Sequence, residues 1–386
     1  MLGKTLKHQF VSALEQLAVG SFTLALPDGK QHFFEGNEPG LHAHLHIHDW
    51  RTISATALQG DIGFADAYRN GWWDSDDLTT LFTVVLQNEN ALKPYMSGSF
   101  FSRLGAQLLY LLRSNSLSGS KRNIHAHYDL GNNFYRLWLD ESMTYSSALF
   151  DHEQQDLLSA QHNKYDRIIE RLPDSGRILE VGCGWGGFAE RSLQKKDHEL
   201  LGLTISQEQY DYATARLGNR ANIALKDYRH QQGRYDAIVS IEMFEAVGER
   251  YWPVYFQKIK NLLDKNGSAM LQSITIGDEY FKNYRSGSDA IRTFIFPGGM
   301  LPSPTRFAEE SARAGLSVND MHFFGQDYAR TLQHWLLTFE SQASSIKALG
   351  FDEPFMRLWR YYLTSCIASF AVGRTNVMQV ELRHAA

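Results

Sequence analysis

The chain has 386 residues, of which 43% are hydrophobic and 13% aromatic, and it carries a formal net charge of −5. This length fits two or three domains, and the charge excludes a general electrostatic attraction to nucleic acid or anionic lipid. Its two cysteines exclude a disulfide framework and indicate a reducing compartment. Since the sequence shows no secretory hydrophobic region and no apolar run of about 18 residues, we expect a cytoplasmic protein without a membrane-spanning helix.

The first 113 residues predict a small α+β domain. A helical pattern covers residues 6–17, and a strand pattern at 22–26 runs into the turn Pro27-Asp-Gly29, which indicates a β-hairpin. A second helical segment covers residues 61–71. The polar, Gly/Ser-rich stretch at 114–122 then predicts a linker.

Four histidines at positions 42, 44, 46 and 48 alternate with apolar residues. This period of two is typical of a strand with one buried face. The histidine face fits either a metal site or a solvated surface. We expect the solvated surface and no metal, because no acid or cysteine nearby in the sequence completes a set of ligands.

Residues 123–386 alternate strand and helix patterns, which predicts an α/β domain with a mostly parallel, doubly wound sheet and ligands at the carboxyl ends of its strands. Seven strands are expected, at residues 177–181, 198–205, 222–226, 235–241, 268–276, 316–324 and 376–383. After the second strand, Ser206 is the N-cap candidate of a helix, with Gln209 three residues later in capping-box spacing.

The most informative segment is Arg177-Ile-Leu-Glu-Val-Gly-Cys-Gly-Trp-Gly-Gly187. It predicts a strand, a tight glycine loop and the start of a helix, where the backbone comes close to a ligand. Glu180 argues against a phosphate, and E-x-G-x-G-x-G differs from the dinucleotide pattern G-x-G-x-x-G. The segment therefore indicates a site for S-adenosylmethionine (SAM).

With its other motifs, the chain resembles the bacterial cyclopropane fatty acid synthase family, which includes the mycolic acid cyclopropane synthases. The resemblance covers residues 123–385 and extends more loosely to the N-terminal region. The motifs that carry it are His127-Tyr-Asp-Leu-Gly-Asn132, Met143-Thr-Tyr-Ser146, Glu180-Val-Gly-Cys-Gly-Trp-Gly-Gly187, Gly202-Leu-Thr-Ile-Ser206, Met243-Phe-Glu-Ala-Val-Gly248, Phe294-Ile-Phe-Pro-Gly-Gly299 and Phe324-Gly-Gln-Asp-Tyr328. It implies a Rossmann-like, SAM-dependent methyltransferase domain preceded by a sterol-carrier-like domain that captures lipid.

The resemblance also implies which residues contact SAM, in a segment before the sheet, in the glycine loop and after the second and third strands. These residues are Tyr145, Ser146, Glu180, Gly182, Cys183, Gly184, Gly186, Thr204, Ser206, Gln209, Asp227 and Tyr228. For Gln209 a role as helix cap stays open, and for Tyr228 a role as core aromatic.

In the family, an acyl double bond attacks the SAM methyl, which requires close alignment in a dry pocket and leaves a carbocation that aromatic faces stabilise. A bound bicarbonate then takes a proton from the new methyl group, and the ring closes. Of the bicarbonate ligands, Glu245, Tyr328 and the backbone of Ile274 match this chain, whereas Gln272 stands for a histidine and Ser147 for a cysteine. Bicarbonate is therefore expected with altered ligands, since glutamine cannot carry a proton.

These departures leave the product open between a cyclopropane and a methylene- or methyl-branched chain, or a furan fatty acid precursor. A non-catalytic lipid-binding protein is the third alternative, which the intact glycine loop opposes.

Cys366 matches a family cysteine suspected of catalysis, although a buried structural thiol fits its apolar surroundings better. The resemblance further implies unsaturated phospholipid as substrate, peripheral association with the inner face of the plasma membrane, and a homodimer.

Overall fold

The computed structural model describes residues 2–96 and 130–385, which form two compact units. Of the described residues, the first unit comprises 2–96, 286–295 and 339–374, and the second comprises 130–285, 296–338 and 375–385. The predicted division after residue 113 and the predicted linker at 114–122 lie outside the described residues. Two segments of the predicted catalytic region, 286–295 and 339–374, belong to the first unit, so that region is not one continuous unit.

The first unit has an α+β architecture, as predicted. Its sheet contains β1 (Val19–Ala25), β2 (Gln31–Glu35), β3 (Glu38–Ile47) and β4 (Trp73–Asp74) in the order β2-β1-β3-β4. The helices of its first segment are α1 (Leu2–Leu14), α2 (Arg51–Gln59), α3 (Asp61–Arg69), α4 (Leu78–Gln87) and α5 (Glu89–Met96). The predicted hairpin is confirmed, since β1 and β2 pair antiparallel, and the first helix begins four residues earlier than predicted.

The predicted alternation along β3 is confirmed. Ala43, Leu45 and Ile47 are buried and join the core of this unit, so the histidines lie on the opposite face. β4 pairs antiparallel with β3, with Asp74 opposite His46. This pairing brings Asp74 and Asp76 to the histidine face from 26 to 30 residues away in the chain, which the sequence around the histidines did not show.

The second unit contains the seven predicted strands: β5 (Ser175–Val181), β6 (Asp197–Thr204), β7 (Asn222–Leu225), β8 (Tyr235–Ile241), β9 (Leu263–Ile276), β10 (Leu316–Phe323) and β11 (Thr375–His384). Their order is β10-β11-β9-β8-β5-β6-β7. β11 is antiparallel to both neighbours, and the other paired strands are parallel. The strand order reverses between β5 and β8, which is where doubly wound sheets bind ligands at the carboxyl ends of their strands.

Helices cover both faces of this sheet. They are α6 (Asn132–Arg136), α7 (Leu157–Ile169), α8 (Gly187–Lys195), α9 (Gln207–Leu217), α10 (Trp252–Leu262), α11 (Asp278–Ser286), α12 (Pro304–Arg313) and α13 (Gly325–Ser341). Leu179 and Ile238 pack with Phe256 of α10 in one core cluster, whereas Ile178 packs with Phe188 of α8 in another. Burial on both faces explains why these strands are continuous apolar runs in the sequence.

Two further helices return to the first unit, α14 (Ala343–Ala348) and α15 (Glu353–Ala371). The buried Tyr361 of α15 packs its ring 4.8 Å from that of Phe82 in α4. Arg357 donates hydrogen bonds to the carbonyl oxygens of Tyr68 (2.5 Å) and Trp73 (2.8 Å). These contacts between distant parts of the chain explain why residues 339–374 belong to the first unit. In the described part of the chain, every helix is too short or too polar to cross a membrane.

Candidate active site

The glycine loop connects β5 to α8 and has the strand–loop–helix form predicted from its spacing. Gly182, Gly184 and Gly186 have φ angles of 83°, 51° and 82°, in the left-handed region that favours glycine. A Cβ added to Gly182 would lie 2.8 Å from Cγ of Met243. The N–H groups of Gly182 and Cys183 donate to the Leu203 carbonyl at 3.0 and 2.9 Å, so the loop is fastened to β6.

Glu180 ends the apolar part of β5 and is 3% exposed. Its oxygen Oε2 is buried without a hydrogen-bond partner. Burial raises the pKa of this carboxyl well above its ordinary value, against the opposing positive charges of Lys164 and Arg216. Because an unpaired buried oxygen is costly, this position fits a ligand that brings a donor or a positive charge, and SAM brings both an amino group and a sulfonium.

The end of β6 brings three of the predicted cofactor residues together. The Thr204 hydroxyl donates to Gln209 Oε1 at 2.8 Å, and the Ser206 N–H donates to Thr204 Oγ1 at 3.1 Å. Ser206 caps α9 by accepting from the Gln209 N–H at 3.4 Å. The capping prediction is thus confirmed for Ser206, whereas the side chain of Gln209 binds Thr204 instead of the N-cap backbone.

Asp227 and Tyr228 follow β7. Asp227 accepts hydrogen bonds from Arg229, at 2.9 Å from Nε and 2.6 Å from Nη2. Burial opposes the negative charge of Asp227, but the bonds from Arg229 outweigh it and lower the pKa of the carboxyl. The ring of Tyr228 packs 5.5 Å from that of Tyr255 and contacts the core, so its role as a core aromatic fits the structure.

The segment before the sheet places Tyr145 in an aromatic cluster. Its ring lies 5.6 Å from Tyr135, 5.5 Å from Trp138 and 5.2 Å from Trp335. The neighbouring Ser146 is buried, and its hydroxyl accepts from Lys164 Nζ at 2.6 Å. Such clustered ring faces can stabilise a positive charge.

Glu242 lies directly after β8, and several predicted bicarbonate ligands converge on its carboxylate. Its Oε1 accepts from the Ser147 N–H at 2.8 Å and from Gln272 Nε2 at 2.7 Å. The Tyr328 hydroxyl forms a further hydrogen bond with the same carboxyl group. Three groups expected around bicarbonate therefore bind a carboxylate supplied by the chain.

The backbone of Glu242 is strained. Its φ angle is 48°, and Met143, four residues before Ser147, has a φ angle of 55°. In the described part of the chain these are the residues other than glycine with positive φ. A left-handed conformation costs roughly 1–2 kcal/mol for a residue with a Cβ. Strain of this kind is typical of functional sites, and here it brings Ser147 and Glu242 into contact.

The amide of Gln272 is engaged at both ends. Besides Glu242, its Nε2 donates to the Ser147 carbonyl at 3.3 Å, and its Oε1 accepts from Gln379 Nε2 at 3.0 Å. Gln379 is fixed in turn by donating to the Lys164 carbonyl at 3.2 Å. Gln272 therefore acts as an oriented donor toward the carboxylate of Glu242.

Glu245 and Ile274 bond to each other. Oε1 of Glu245 accepts from the Ile274 N–H and from the Ser273 hydroxyl, the latter at 3.0 Å. Its Oε2 is buried and unpaired. Burial, reinforced by the charge of Glu242, raises the pKa of Glu245 to about 8. The backbone donor of Ile274 that was expected for bicarbonate is thus already occupied.

Lys164 supplies the positive charge near these acids. It is fully buried on the inner face of α7, with its ammonium 4.2 Å from the centre of the Tyr165 ring. Burial lowers the pKa of Lys164 and raises that of Glu242, while the attraction between the two charges opposes both shifts. The two shifts are opposite because burial disfavours the charged form of both groups.

The sequence of the chain is similar to that of known lipid-modifying enzymes. It matches the mycolic acid cyclopropane synthetase family over residues 115–380. The chain belongs to this family. It is 34% identical over 338 residues to tuberculostearic acid methyltransferase UfaA1 of Mycobacterium tuberculosis, covering 84% of this chain and 79% of that protein. Cyclopropane-fatty-acyl-phospholipid synthase of Escherichia coli is 34% identical over 330 residues, which cover 83% of each chain.

Solved structures agree with this assignment. Cyclopropane synthase MmaA2 from Mycobacterium tuberculosis aligns with a TM-score of 0.64 and 29% identity, over 68% of this chain and 97% of that one. Mycolic acid cyclopropane synthase CmaA1, solved with SAH and CTAB, aligns with a TM-score of 0.63 and 30% identity over the same shares. This member of the family is a SAM-dependent methyltransferase with a Rossmann-like fold.

The cysteine that matches the family's suspected catalytic cysteine lies in the first unit, and a buried structural thiol was the preferred prediction for it. Cys366 is in α15 of the first unit, whereas the residues above belong to the second. Burial raises the pKa of the Cys366 thiol to about 12, and burial also raises that of Cys183. Thiols held protonated at neutral pH are poor nucleophiles, so both fit structural roles.

Sequence reasoning missed Glu242 and Lys164. Glu242 is an acid directly after the fourth strand, at its carboxyl end, and that position was a usable signal. Lys164 stands three residues after Gln161 and four before Ile168, on the face of α7 that the structure buries. What the sequence did not contain was the contact between Glu242 and residues 95 and 30 positions away in the chain.

Proposed function

We propose that this methyltransferase alkylates the cis double bond of an unsaturated acyl chain and uses the carboxylate of Glu242 as its base. The observation that carries the proposal is the convergence of Ser147 N–H, Gln272 Nε2 and the Tyr328 hydroxyl on Glu242. Donors arranged around a single carboxylate orient it and stabilise its charged form. In this proposal Glu242 takes the place of bicarbonate.

The residues of the second unit fit SAM. The glycine loop and the start of α8 would receive it, with Glu180 near its positive end and Thr204 and Gln209 at the end of β6. When bound, SAM supplies a methyl group activated by attachment to a sulfonium. Tyr145 and its neighbours would exclude water from the acyl chain and face the cation that methylation leaves on it.

Burial holds the pKa of Glu242 above its ordinary value in the free protein. A positive charge that develops close to this carboxyl favours its ionised form, as Lys164 already does. Because a carbocation favours the ionised carboxylate, Glu242 is in its proton-accepting form when the carbocation has to lose a proton. Gln272 cannot accept that proton, but it holds the accepting oxygen in place.

With Glu242 as the base, methylation of the double bond can lead to two products, a cyclopropane or a methylene-branched chain. If Glu242 takes a proton from the new methyl group while the released electron pair bonds to the cationic carbon, a cyclopropane forms. If a hydride first moves from the methylated carbon to the cationic carbon, loss of a methyl proton leaves a methylene branch. The cyclopropane follows the family, and the methylene-branched chain is the second candidate because the relative UfaA1 is named a methyltransferase and not a cyclopropane synthase.

The substrate we propose is an acyl chain of a membrane phospholipid, reached by peripheral association with the membrane surface. The E. coli relative is named for a fatty-acyl-phospholipid substrate. The α+β first unit would capture lipid, and the protein would act as a homodimer, as in the bacterial enzymes that it resembles. The net charge of −5 opposes a nucleic-acid partner.

The test is incubation of the full chain with SAM and vesicles of cis-monounsaturated phospholipid, with bicarbonate either supplied or removed from the buffer. The acyl chains are then released, hydrogenated under conditions that reduce only alkenes, and analysed by mass. A gain of about 14 mass units that survives hydrogenation unchanged identifies a cyclopropane. A methylated chain that takes up hydrogen identifies the branched product.

Equal yields with and without bicarbonate support Glu242 as the base. A yield that depends on added bicarbonate would overturn that part of the proposal. Transfer to no acyl chain, with SAM binding intact, would overturn the proposed substrate, and failure to bind SAM would favour a non-catalytic lipid-binding protein.

A further inference from the structure

The outer face of the sheet in the first unit carries a group of side chains outside the proposed reaction. His44 and His46 are two residues apart on β3, so both project to this face. Their rings stack at 6.1 Å between centroids with an angle of 11°. Asp76 lies beyond the end of β4, which pairs with β3 and brings the carboxylate to the two imidazoles.

The distances within this group fit a metal ion. Asp76 Oδ1 lies 3.1 Å from His46 Nε2, and Asp76 Oδ2 lies 3.6 Å from His44 Nδ1. One ligand atom from each residue lies within 4.8 Å of the other two. Ligands about 2.1 Å from a tetrahedral Zn²⁺ are separated by about 3.4 Å, which falls between the two measured separations.

The neighbouring side chains His42, His48 and Asp77 already form hydrogen bonds with other residues. The candidate metal ligands are therefore His44, His46 and Asp76. Both ring nitrogens of His42 are bonded, Nδ1 to Ser21 Oγ at 2.7 Å and Nε2 to Thr23 Oγ1 at 3.1 Å. His48 Nε2 lies 3.1 Å from Asp74 Oδ2. Asp77, next to Asp76, caps α4 by accepting from the backbone N–H groups of Thr79 and Thr80.

We propose that His44, His46 and Asp76 bind a divalent transition-metal ion, with Zn²⁺ as the expected occupant. Two imidazoles and one carboxylate are ligands that Zn²⁺ accepts, whereas Mg²⁺ and Ca²⁺ prefer oxygen ligands throughout. The side chain of Asp76 is 66% exposed, so water completes the coordination. The ion joins β3 to the segment between β4 and α4 and stabilises the first unit, independently of methyl transfer.

The experiment uses the full chain without a histidine tag. The protein is stripped with a chelator, titrated with ZnCl₂ by calorimetry, and melted with and without Zn²⁺. The proposal predicts one ion per chain and a higher melting temperature with Zn²⁺, because a ligand that binds only the folded state stabilises it. The variants His46→Ala and Asp76→Asn are each expected to weaken binding about tenfold or more and to reduce the temperature shift.

The matched control is His42→Ala, which removes a histidine from the same strand face but leaves the three ligands in place. It is expected to bind Zn²⁺ within about twofold of the unchanged chain. Equal losses in His42→Ala and His46→Ala would overturn the assigned site, because any surface histidine would then serve. Absence of stoichiometric binding by the unchanged chain would overturn the proposal outright.

Discussion

Two groups of acidic side chains, one in each unit, differ in how far they are removed from water. Glu242 and Glu245 of the second unit are surrounded by protein and meet the neutral donors of Gln272 and the Ile274 backbone, and burial raises the pKa of both. In the first unit, Asp76 is exposed and faces two imidazoles. The same chemical group thus holds its proton more tightly where it is desolvated, and is a partner for cations where it is exposed.

The substitution Glu242→Gln tests the buried member of this comparison and has the largest expected effect. The amide keeps the size and one acceptor oxygen of the side chain but cannot take a proton. We expect methyl transfer to acyl chains to fall by roughly 10²- to 10⁴-fold. SAM affinity, measured by calorimetry, should change little.

Glu199→Gln is the control, since Glu199 is exposed on β6 and belongs to the same unit. It should leave turnover unchanged. If Glu242→Gln retains more than about a third of the turnover of the unchanged chain, the carboxylate is not the base that the buried environment indicates.

The substitution Gly182→Ala tests the glycine loop. A Cβ there would lie 2.8 Å from Met243 Cγ, and the φ angle of 83° disfavours any residue with a side chain. We expect SAM to bind about 10- to 100-fold more weakly by calorimetry, because the loop has to shift. Gly29→Ala, at a φ of 79° with open space around it, shares the strain without the collision. A loss of SAM affinity in the control as large as in Gly182→Ala would refute the steric argument.

The substitution Glu245→Gln tests how burial of an acid couples stability to pH. The folded-state pKa of about 8 exceeds the ordinary value of 4.5, so the folded chain holds this proton more tightly than the unfolded chain does. That stabilisation is full below pH 4.5 and is lost as the pH rises through 8. In urea denaturation, the decline in unfolding free energy between pH 5.5 and pH 8 should be about 3 kcal/mol smaller in the variant. An unchanged decline would show that Glu245 does not keep its proton.

Much of the fold follows from local patterns. The seven strands were predictable because apolar runs bounded by turns and glycines mark buried parallel strands. β9 begins at Leu263 instead of residue 268, because Leu263 pairs with Tyr235 of β8 before an irregularity, and the regular ladder resumes at Ser268. The return of α15 to the first unit was not predictable, since it depends on contacts such as that of Tyr361 with Phe82.

The sequence predicted the residues that surround the candidate site, but not the carboxylate of Glu242 that they bind. The resemblance identified Tyr328 within a family motif, Ser147 directly after one, and Gln272 as the residue that stands for a family histidine. It overlooked Glu242, which precedes the motif that starts at Met243. Only the structure shows that the backbone of Glu242 adopts a left-handed conformation and directs a carboxylate into this set of donors. The same holds for the histidine face of the first unit. The sequence showed the histidines of β3, but only the structure shows that Asp76 lies beside them.

The most direct measurement is chemical rescue of Glu242→Gly. Glycine accepts the φ of 48° without strain, so the variant should fold, and it leaves the donors of Ser147, Gln272 and Tyr328 without their carboxylate. Methyl transfer is measured for this variant and for the unchanged chain, with bicarbonate removed and restored. If Glu242 replaces bicarbonate, the unchanged chain is indifferent to the ion, and the variant is inactive until bicarbonate is added. An unchanged chain that stops without bicarbonate, together with a variant that keeps its activity, would contradict the central claim.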